Sequence, residues 1–284
     1  MKTQVAPYQT AVKCLRIECT NGSIFRITSY PKDLTMSNGQ IYVSGSGYEF
    51  TGYTATSTTT PAAIDLAGIF GFAGISRAMV ASGVFDNARC YLFNCNYLNP
   101  VEDYEPITAS ILGKATMMDD KYVIEEMSLI DALNQSVGKT YTATCPKKLG
   151  GSEYAGCALN LNGTGPSGYA YTVTGSITAV TSNQVFTDSN RSEPTDWFSM
   201  GTIIFTSGYN YGLRLKEVKT FTAGGLIEVF EPFYYTPQVG DTYTMVVGCR
   251  KRLADCRDKF NNVVNFGGFS YIPTSSQYSQ VGTK

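Results

Sequence analysis

The chain contains no histidine among its 284 residues. Histidine is the side chain whose ordinary pKa allows proton transfer near neutral pH, and it is the general base of the Ser-His-Asp and Cys-His hydrolases. Its absence excludes both of those mechanisms, and it also excludes zinc sites that mix cysteine with histidine. The sequence therefore argues against the common classes of hydrolase.

Charge is scarce as well. Charged residues make up 16% of the chain, and the formal net charge is -1. A protein that binds nucleic acid or an anionic membrane through charge carries a basic surplus, which is missing here. We therefore expect no specificity for nucleic acid.

The sequence also lacks an apolar run that could span a membrane. Its most apolar stretch, residues 62–85, is interrupted by Asp65 and Arg77, and its uncharged pieces are shorter than the ~20 apolar residues that a spanning helix needs. The first residues, MKTQVAPYQTAVKC, have no apolar core typical of a secretory signal peptide. We expect a soluble protein without a transmembrane segment, made in a cytoplasm, with residues 62–85 buried or loop-like.

Aromatic residues and glycine, in contrast, are abundant, with 20 Tyr, 15 Phe and 28 Gly. This composition favours β structure, because aromatic side chains fit half-buried pleated surfaces and glycine supplies the turns. Asn21-Gly22 and Asn38-Gly39 each lie between apolar runs and predict the turns of two hairpins. The sequence predicts a mainly β fold (β-rich α+β).

The order of these patterns predicts two β domains. In the first, SRAMVASGVFDNA indicates a short helix, RCYLFNCNYL a strand, and KYVIEEMSLIDALN a strand that ends as a helix near Gly138. A Gly-rich irregular segment follows, and then several antiparallel strands, the last of which leads to Cys249. We expect an N-terminal β-rich domain at residues 1–138 and a C-terminal β domain at residues 139–284.

The eight cysteines fall into two groups. Cys14, Cys19, Cys90 and Cys95 lie in or beside predicted strands, and the two members of each pair are five positions apart. On a regular strand such pairs face opposite sides of the sheet, so neither pair forms a ligand set. A free buried cysteine behaves as a small apolar side chain, and we expect these four to pack in the core.

The other group consists of Cys145, Cys157, Cys249 and Cys256, in irregular stretches with glycine nearby. Four thiolates complete a ligand set for zinc or for an iron–sulfur cluster. Eleven and six residues separate the two pairs, without a CxxC motif, and this loose spacing favours a cluster over a single zinc ion.

The bases around the last two cysteines are Arg250, Lys251, Arg252 and Arg257. They would offset the negative charge of a four-thiolate cluster, although they are equally compatible with a solvated face. Spacing and charge alone decide neither whether these cysteines bind a metal nor which metal it is.

The C-terminal stretch GCRKRLADCRDKFNNVVNFGGFSYIP resembles the signature of tail-tip hub proteins of long-tailed phages and gene transfer agents, the minor tail protein L-like family. The shared frame is Gly-Cys, a basic segment, Cys-Arg, Asn265-Phe266, Gly268-Phe269 and Pro273. Upstream, CPKKLGGSEYAGCALNL and the strands that lead to Cys249 are similar to the family, and the N-terminal hairpins match less specifically. The chain departs from the pattern at Gly267 and Tyr271, where the family commonly has Arg and His.

This resemblance implies a structural virion protein, not an enzyme. It implies a hub at the virion tail tip that closes the distal tail tube, forms a homotrimer, and contacts the distal tail protein ring and the central tail fibre or spike protein, with the tape measure protein as a further candidate partner. Assembly takes place in the cytoplasm of a bacterial host. The family holds a 4Fe-4S cluster on four cysteines, which correspond here to Cys145, Cys157, Cys249 and Cys256.

Three alternatives stand beside this hypothesis. The chain could be a zinc-stapled binding module, or an iron–sulfur protein that transfers electrons, although no GxGxxG or Walker motif for a second cofactor is present. A thiol peptidase, the third alternative, would lack the histidine that serves as its general base.

The carboxylate pairs Asp119-Asp120 and Glu125-Glu126 are expected in a turn or at a solvated edge and not as a glycosidase pair.

Overall fold

The computed structural model describes residues 10–44, 49–50, 64–128, 138, 141–151 and 156–272. The chain divides into two compact units, one of Met1–Ser136 with Gly212–Arg214, the other of Val137–Tyr211 with Leu215–Lys284. Each unit is built on one sheet, so the expected mainly β fold with two β domains is confirmed. Within the described ranges, no helix has the length and apolar character that crossing a membrane requires.

The sheet of the first unit has nine strands in the described part of the chain. They are β1 (Ala11–Glu18), β2 (Ile24–Thr28), β3 (Leu34–Thr35), β4 (Ile41–Ser44), β5 (Glu49–Phe50), β6 (Ile64–Ile69), β7 (Arg89–Asn96), β8 (Glu105–Met117) and β9 (Lys121–Ser128). Their order across the sheet is β3-β4-β2-β1-β7-β8-β9-β6-β5. All neighbours are antiparallel except β2 and β4, which are parallel.

Both predicted hairpins are confirmed. β1 pairs with β2 and β3 with β4, and the turns between them place Gly22 at φ +88° and Gly39 at φ +80°. Only glycine adopts such angles without steric cost, which explains the residue at each turn.

The two faces of this sheet bury two separate apolar clusters. Cys14 and Cys95 lie in one cluster, together with Tyr42 and Phe93, whereas Cys19 and Cys90 lie in the other. All four cysteines are buried. The prediction that cysteines five positions apart face opposite sides of the sheet is therefore confirmed.

The apolar stretch at residues 62–85 is more regular than expected. Its first part forms β6, which pairs with β9 from Ile64↔Glu126 to Ile69↔Lys121. A 3-10 turn at Phe72–Gly74 and the predicted short helix, α1 (Arg77–Ala81), follow. Of the two expectations, buried or loop-like, the loop does not apply to β6, because a partner strand far along the chain orders it.

Glu126 also differs from expectation. Asp119 and Asp120 are exposed in the turn after β8, but Glu126 is buried and accepts hydrogen bonds from Cys90 Sγ (3.3 Å) and Ser110 Oγ (2.9 Å). It is not part of a solvated edge. The helix predicted after β9 falls on residues 129–137, outside the described residues, and the boundary after residue 138 stays a proposal.

The sheet of the second unit has seven strands among the described residues. They are β10 (Thr172–Ser176), β11 (Ala179–Val180), β12 (Val185–Thr187), β13 (Thr202–Phe205), β14 (Lys216–Thr222), β15 (Leu226–Val229) and β16 (Thr242–Val246). The order is β10-β16-β13-β14-β15-β12-β11, with every pair antiparallel. The last strand thus lies inside the sheet, between β10 and β13.

A buried hydrogen bond lies in the core of the second unit. The Tyr243 hydroxyl on β16 donates to Asp188 Oδ2 at 2.8 Å, and both residues are fully buried. Gly175 on β10 is the register partner of Tyr243 on β16. A Cβ on Gly175 would overlap both the Asp188 carboxylate and the Tyr243 phenol. The strand carries glycine there because the buried pair fills the space.

We expect Tyr243→Phe to destabilise the second unit by about 1–3 kcal/mol, because the buried carboxylate loses a donor that water cannot replace. Urea unfolding followed by the fluorescence of Trp197, the single tryptophan, measures this change. Tyr211→Phe is the control, since Tyr211 is 69% exposed and its change should stay within about 0.5 kcal/mol. Equal effects of the two substitutions would contradict the assignment.

Candidate functional site

The segment that follows β16 is held in place by the neighbouring backbone. Val247 N donates to Tyr171 O at 2.7 Å and Gly248 N to Trp197 O at 3.3 Å. A Cβ on Gly248 would collide with the main chain at Ser199, so only glycine fits. Cys249 comes next and therefore has a defined position at the end of an interior strand.

Lys251 joins this segment to the irregular stretch that contains Cys145. Its backbone N–H donates to Cys249 Sγ at 3.4 Å, and its carbonyl accepts from Cys145 N at 2.9 Å. Its ammonium group donates to Lys147 O at 2.5 Å. The residue has φ +63°, a left-handed angle that turns the N–H back towards the sulfur.

Asn262 joins the other two cysteines. Cys256 lies in a π-helical turn, Asp255–Lys259, and Asn262 N donates to its carbonyl at 2.8 Å. The Asn262 side chain donates to Cys157 O, also at 2.8 Å. A further backbone donor, Gly267 N, lies 3.4 Å from Cys145 Sγ.

These hydrogen bonds connect the segments that carry the four predicted cysteines within the second unit. Cys145, Cys157 and Cys256 are buried and Cys249 is partly buried. The pKa of Cys256 is raised to about 11, first by burial and then by the charges of Cys249, Cys145 and Cys157, in that order. Burial is also the main cause of the raised pKa of Cys249, and the charge of Cys145 makes a smaller contribution. Each thiol is therefore within electrostatic reach of its neighbours.

The positions of the four cysteines do not form a coordination site for a single metal ion. In the described part of the chain, no three or more His, Cys, Asp or Glu side chains are arranged so that they could hold a metal ion. Two of the four sulfurs nevertheless accept backbone N–H donors, and such bonds stabilise the thiolate form that ligates metals.

The bases predicted to offset thiolate charge have other partners. Arg250 pairs with Asp255 (2.9 Å) and Asp196 (3.0 Å), and Arg257 pairs with Asp258 (2.7 Å). Arg257 and Asp258 are largely exposed. The pairing satisfies the guanidinium groups locally, so charge compensation by these two arginines stays a prediction.

Lys259 is the residue that the sequence analysis missed. Its ammonium group donates to three main-chain carbonyls, those of Asp196 (3.1 Å), Trp197 (2.5 Å) and Gly248 (2.8 Å). It also lies 5.1 Å from the centre of the Trp197 ring. Burial lowers its pKa to about 8. A lone lysine in a charged segment gives no sequence signal for this role.

The aromatic tail that follows divides into packed and exposed parts. Phe260 is buried against Tyr171, with ring centroids 5.6 Å apart, and Phe269 packs edge-on against Tyr141 at 4.6 Å. Tyr271 is 92% exposed. The part of the tail nearest the cysteines therefore packs on the unit that carries them.

We expect Lys259→Met to destabilise the second unit by about 2–4 kcal/mol, because three carbonyls that position the approach to Cys249 lose a charged donor. Urea unfolding followed by Trp197 fluorescence is the measurement. Lys219→Met is a matched control, since Lys219 pairs with Glu228 at the surface and should cost less than about 1 kcal/mol. Comparable losses for both would show that Lys259 does not organise this loop.

Comparisons with known proteins agree with this architecture. Residues 5–160, more than half of the chain, match the family model described as baseplate hub protein, N-terminal attachment domain. Residues 196–276 match a second model, described as phage conserved hypothetical protein BR0599. No curated protein matches the chain in sequence.

A solved structure shares the fold of nearly the whole chain. It is a chain from the virion of a native gene transfer agent (GTA) particle, with a TM-score of 0.78 and 23% identity over 97% of this chain and 91% of that one. At this level of identity the likeness shows the fold alone. The family match goes further: the chain belongs to the phage baseplate hub protein family.

Proposed function

We propose that the chain is a structural hub of a virion tail tip, without enzymatic activity. In this role it closes the distal end of the tail tube and joins it to the central fibre or receptor-binding protein. Membership of the baseplate hub family supports the hub role, and the fold shared with a chain of a GTA virion supports a place in a tailed particle. A homotrimer that contacts the distal tail protein ring, the central fibre or spike and the tape measure protein belongs to the same proposal.

The second part of the proposal is a 4Fe-4S cluster on Cys145, Cys157, Cys249 and Cys256. The observation that carries it is the convergence of four thiols, two of which accept a backbone N–H at 3.4 Å. Hydrogen bonds to thiolate sulfur are a regular feature of iron–sulfur sites, and four thiolates are a complete ligand set for them. The chemistry of this donor set supports the proposal.

The role of the site in this proposal is mechanical. Cys145 and Cys157 precede the sheet of the second unit, and Cys249 and Cys256 follow it. A metal group that bridges them would contribute its binding free energy to folding, because the unfolded chain has no preformed site. The four cysteines would then fasten both ends of the domain at one point, as suits a part under mechanical load.

We expect protein purified without oxygen to contain iron and acid-labile sulfide in equal amounts and to absorb visible light. Cys249→Ser should remove both and lower the urea midpoint of the second unit, because it deletes a ligand. Cys19→Ser is the control, as a buried cysteine outside the site, and should keep the iron. Colourless protein with stoichiometric zinc would overturn the cluster in favour of a zinc staple and leave the hub role standing. Equal loss of iron in both variants would refute the ligand set.

The hub role has its own test. We expect purified particles to contain the protein, and an antibody or gold label against it should mark the distal tip of the tail. Deletion of its gene should yield particles without a completed tip. Electron microscopy of labelled and deletion particles is the measurement. A deletion of an unrelated non-virion gene provides the control. Absence of the chain from purified particles would end the proposal.

A further inference from the structure

Cys14 and Cys95 form a close pair in the first unit, apart from the four-cysteine site. Their sulfur atoms are 3.6 Å apart, and both residues are completely buried. Cys14 lies on β1 opposite Phe93 of β7, and Cys95 lies opposite Val12. The two thiols are therefore diagonal neighbours on one face of the sheet, in direct contact.

The surroundings of the pair distinguish the two sulfurs. Cys14 Sγ is also 3.4 Å from Thr28 Oγ1, so its proton has two acceptors within reach. The hydrogen bond from Cys14 lowers the pKa of Cys95. The same bond, followed by burial, raises the pKa of Cys14. We take Cys95 as the nucleophile, because it lies next to the end of β7, where an oxidant arrives first.

We propose that Cys14 and Cys95 are the site of a reversible disulfide that links β1 to β7. The geometry requires the sulfurs to approach from 3.6 Å to about 2.05 Å. Diagonal neighbours begin with Cα atoms about 7–8 Å apart, slightly beyond the usual span of a disulfide. The bond therefore closes with a small shift of the strand ends, and a bond held under such strain is readily reduced.

The reaction uses hydrogen peroxide as the two-electron oxidant. The Cys95 thiolate attacks one peroxide oxygen, the O–O bond breaks, and the departing hydroxide takes a proton to become water. The Cys95 sulfenic acid is then attacked by Cys14 sulfur, the S–O bond breaks, and a second water leaves. Two thiols and one peroxide thus give one disulfide and two waters.

The position of Cys95 gives the oxidant a route to a buried pair. Cys95 is the last residue but one of β7, and its partner Val12 is the second residue of β1. The end of a ladder opens locally far more often than its middle, so a molecule the size of peroxide gains access there. Inside a reducing cell a strained disulfide is kept reduced, as two thiols. In the proposed function it closes after the particle leaves the host, although the bond chemistry does not depend on that role.

The test treats the purified full-length protein with graded hydrogen peroxide, unfolds it in guanidinium chloride with N-ethylmaleimide so that every remaining free thiol is blocked, and maps tryptic peptides by mass spectrometry. We expect a cross-linked pair of peptides that carry Cys14 and Cys95, with two fewer maleimide adducts per chain, and its disappearance after treatment with a reducing thiol. Met118 is 58% exposed, and its oxidation to sulfoxide confirms in the same sample that the oxidant was sufficient.

Two variants make the assignment unambiguous. Cys90→Ser removes the second cysteine of the same tryptic peptide and keeps a donor for Glu126, so it should still cross-link. Cys95→Ser should leave Cys14 fully reactive with maleimide. If maleimide still alkylates both Cys14 and Cys95 in a sample in which Met118 is oxidised, the proposal is overturned. A Cys95 that ends as a sulfinic acid or joins another cysteine would overturn it as well. Should a variant fail to fold, fragmentation of the wild-type peptide still decides between Cys90 and Cys95.

Discussion

The antiparallel pairing of β16 with β10 on one side and β13 on the other is the constraint on which the candidate site depends. An interior strand has both backbone edges satisfied, so its end cannot drift as an edge strand can. The hydrogen bonds of Val247 and Gly248 extend this control beyond the last paired residue. Cys249 is in this way placed by the whole sheet, and Lys259 holds the same segment through a hydrogen bond to the carbonyl of Gly248.

Around that fixed point, backbone groups and one amide side chain gather the other cysteines. Lys251 binds the Cys145 segment, and Asn262 binds the carbonyls of Cys157 and Cys256. None of these contacts requires a metal, and all connect segments that are irregular when considered alone. The loops owe their shape to hydrogen bonds with a rigid domain, which is the usual way in which proteins position a functional group on a loop.

Much of this could be predicted from the sequence, because short-range patterns carry the information. Asn-Gly turns predicted two hairpins, and a period of two predicted that Cys14 and Cys19, and likewise Cys90 and Cys95, face opposite sides of the sheet. The prediction of four ligand cysteines came from their glycine-rich context and from a family resemblance. The strand β6 was missed because its pairing with β9 is long-range. The burial of Glu126, the contact of Cys14 with Cys95 and the three bonds of Lys259 were missed for the same reason: each depends on residues that are distant in sequence.

The distance in sequence between Cys157 and Cys249 has a consequence for the order of synthesis. The first two cysteines of the site leave the ribosome long before the last two, and every strand of the second sheet is made in between. Contacts of such separation form late, because the chain between them must be ordered first. The four thiols therefore come together only once the domain is complete. A truncated chain or one with a misregistered sheet lacks this arrangement of the four cysteines, so under the proposed function only a complete domain would acquire the metal group.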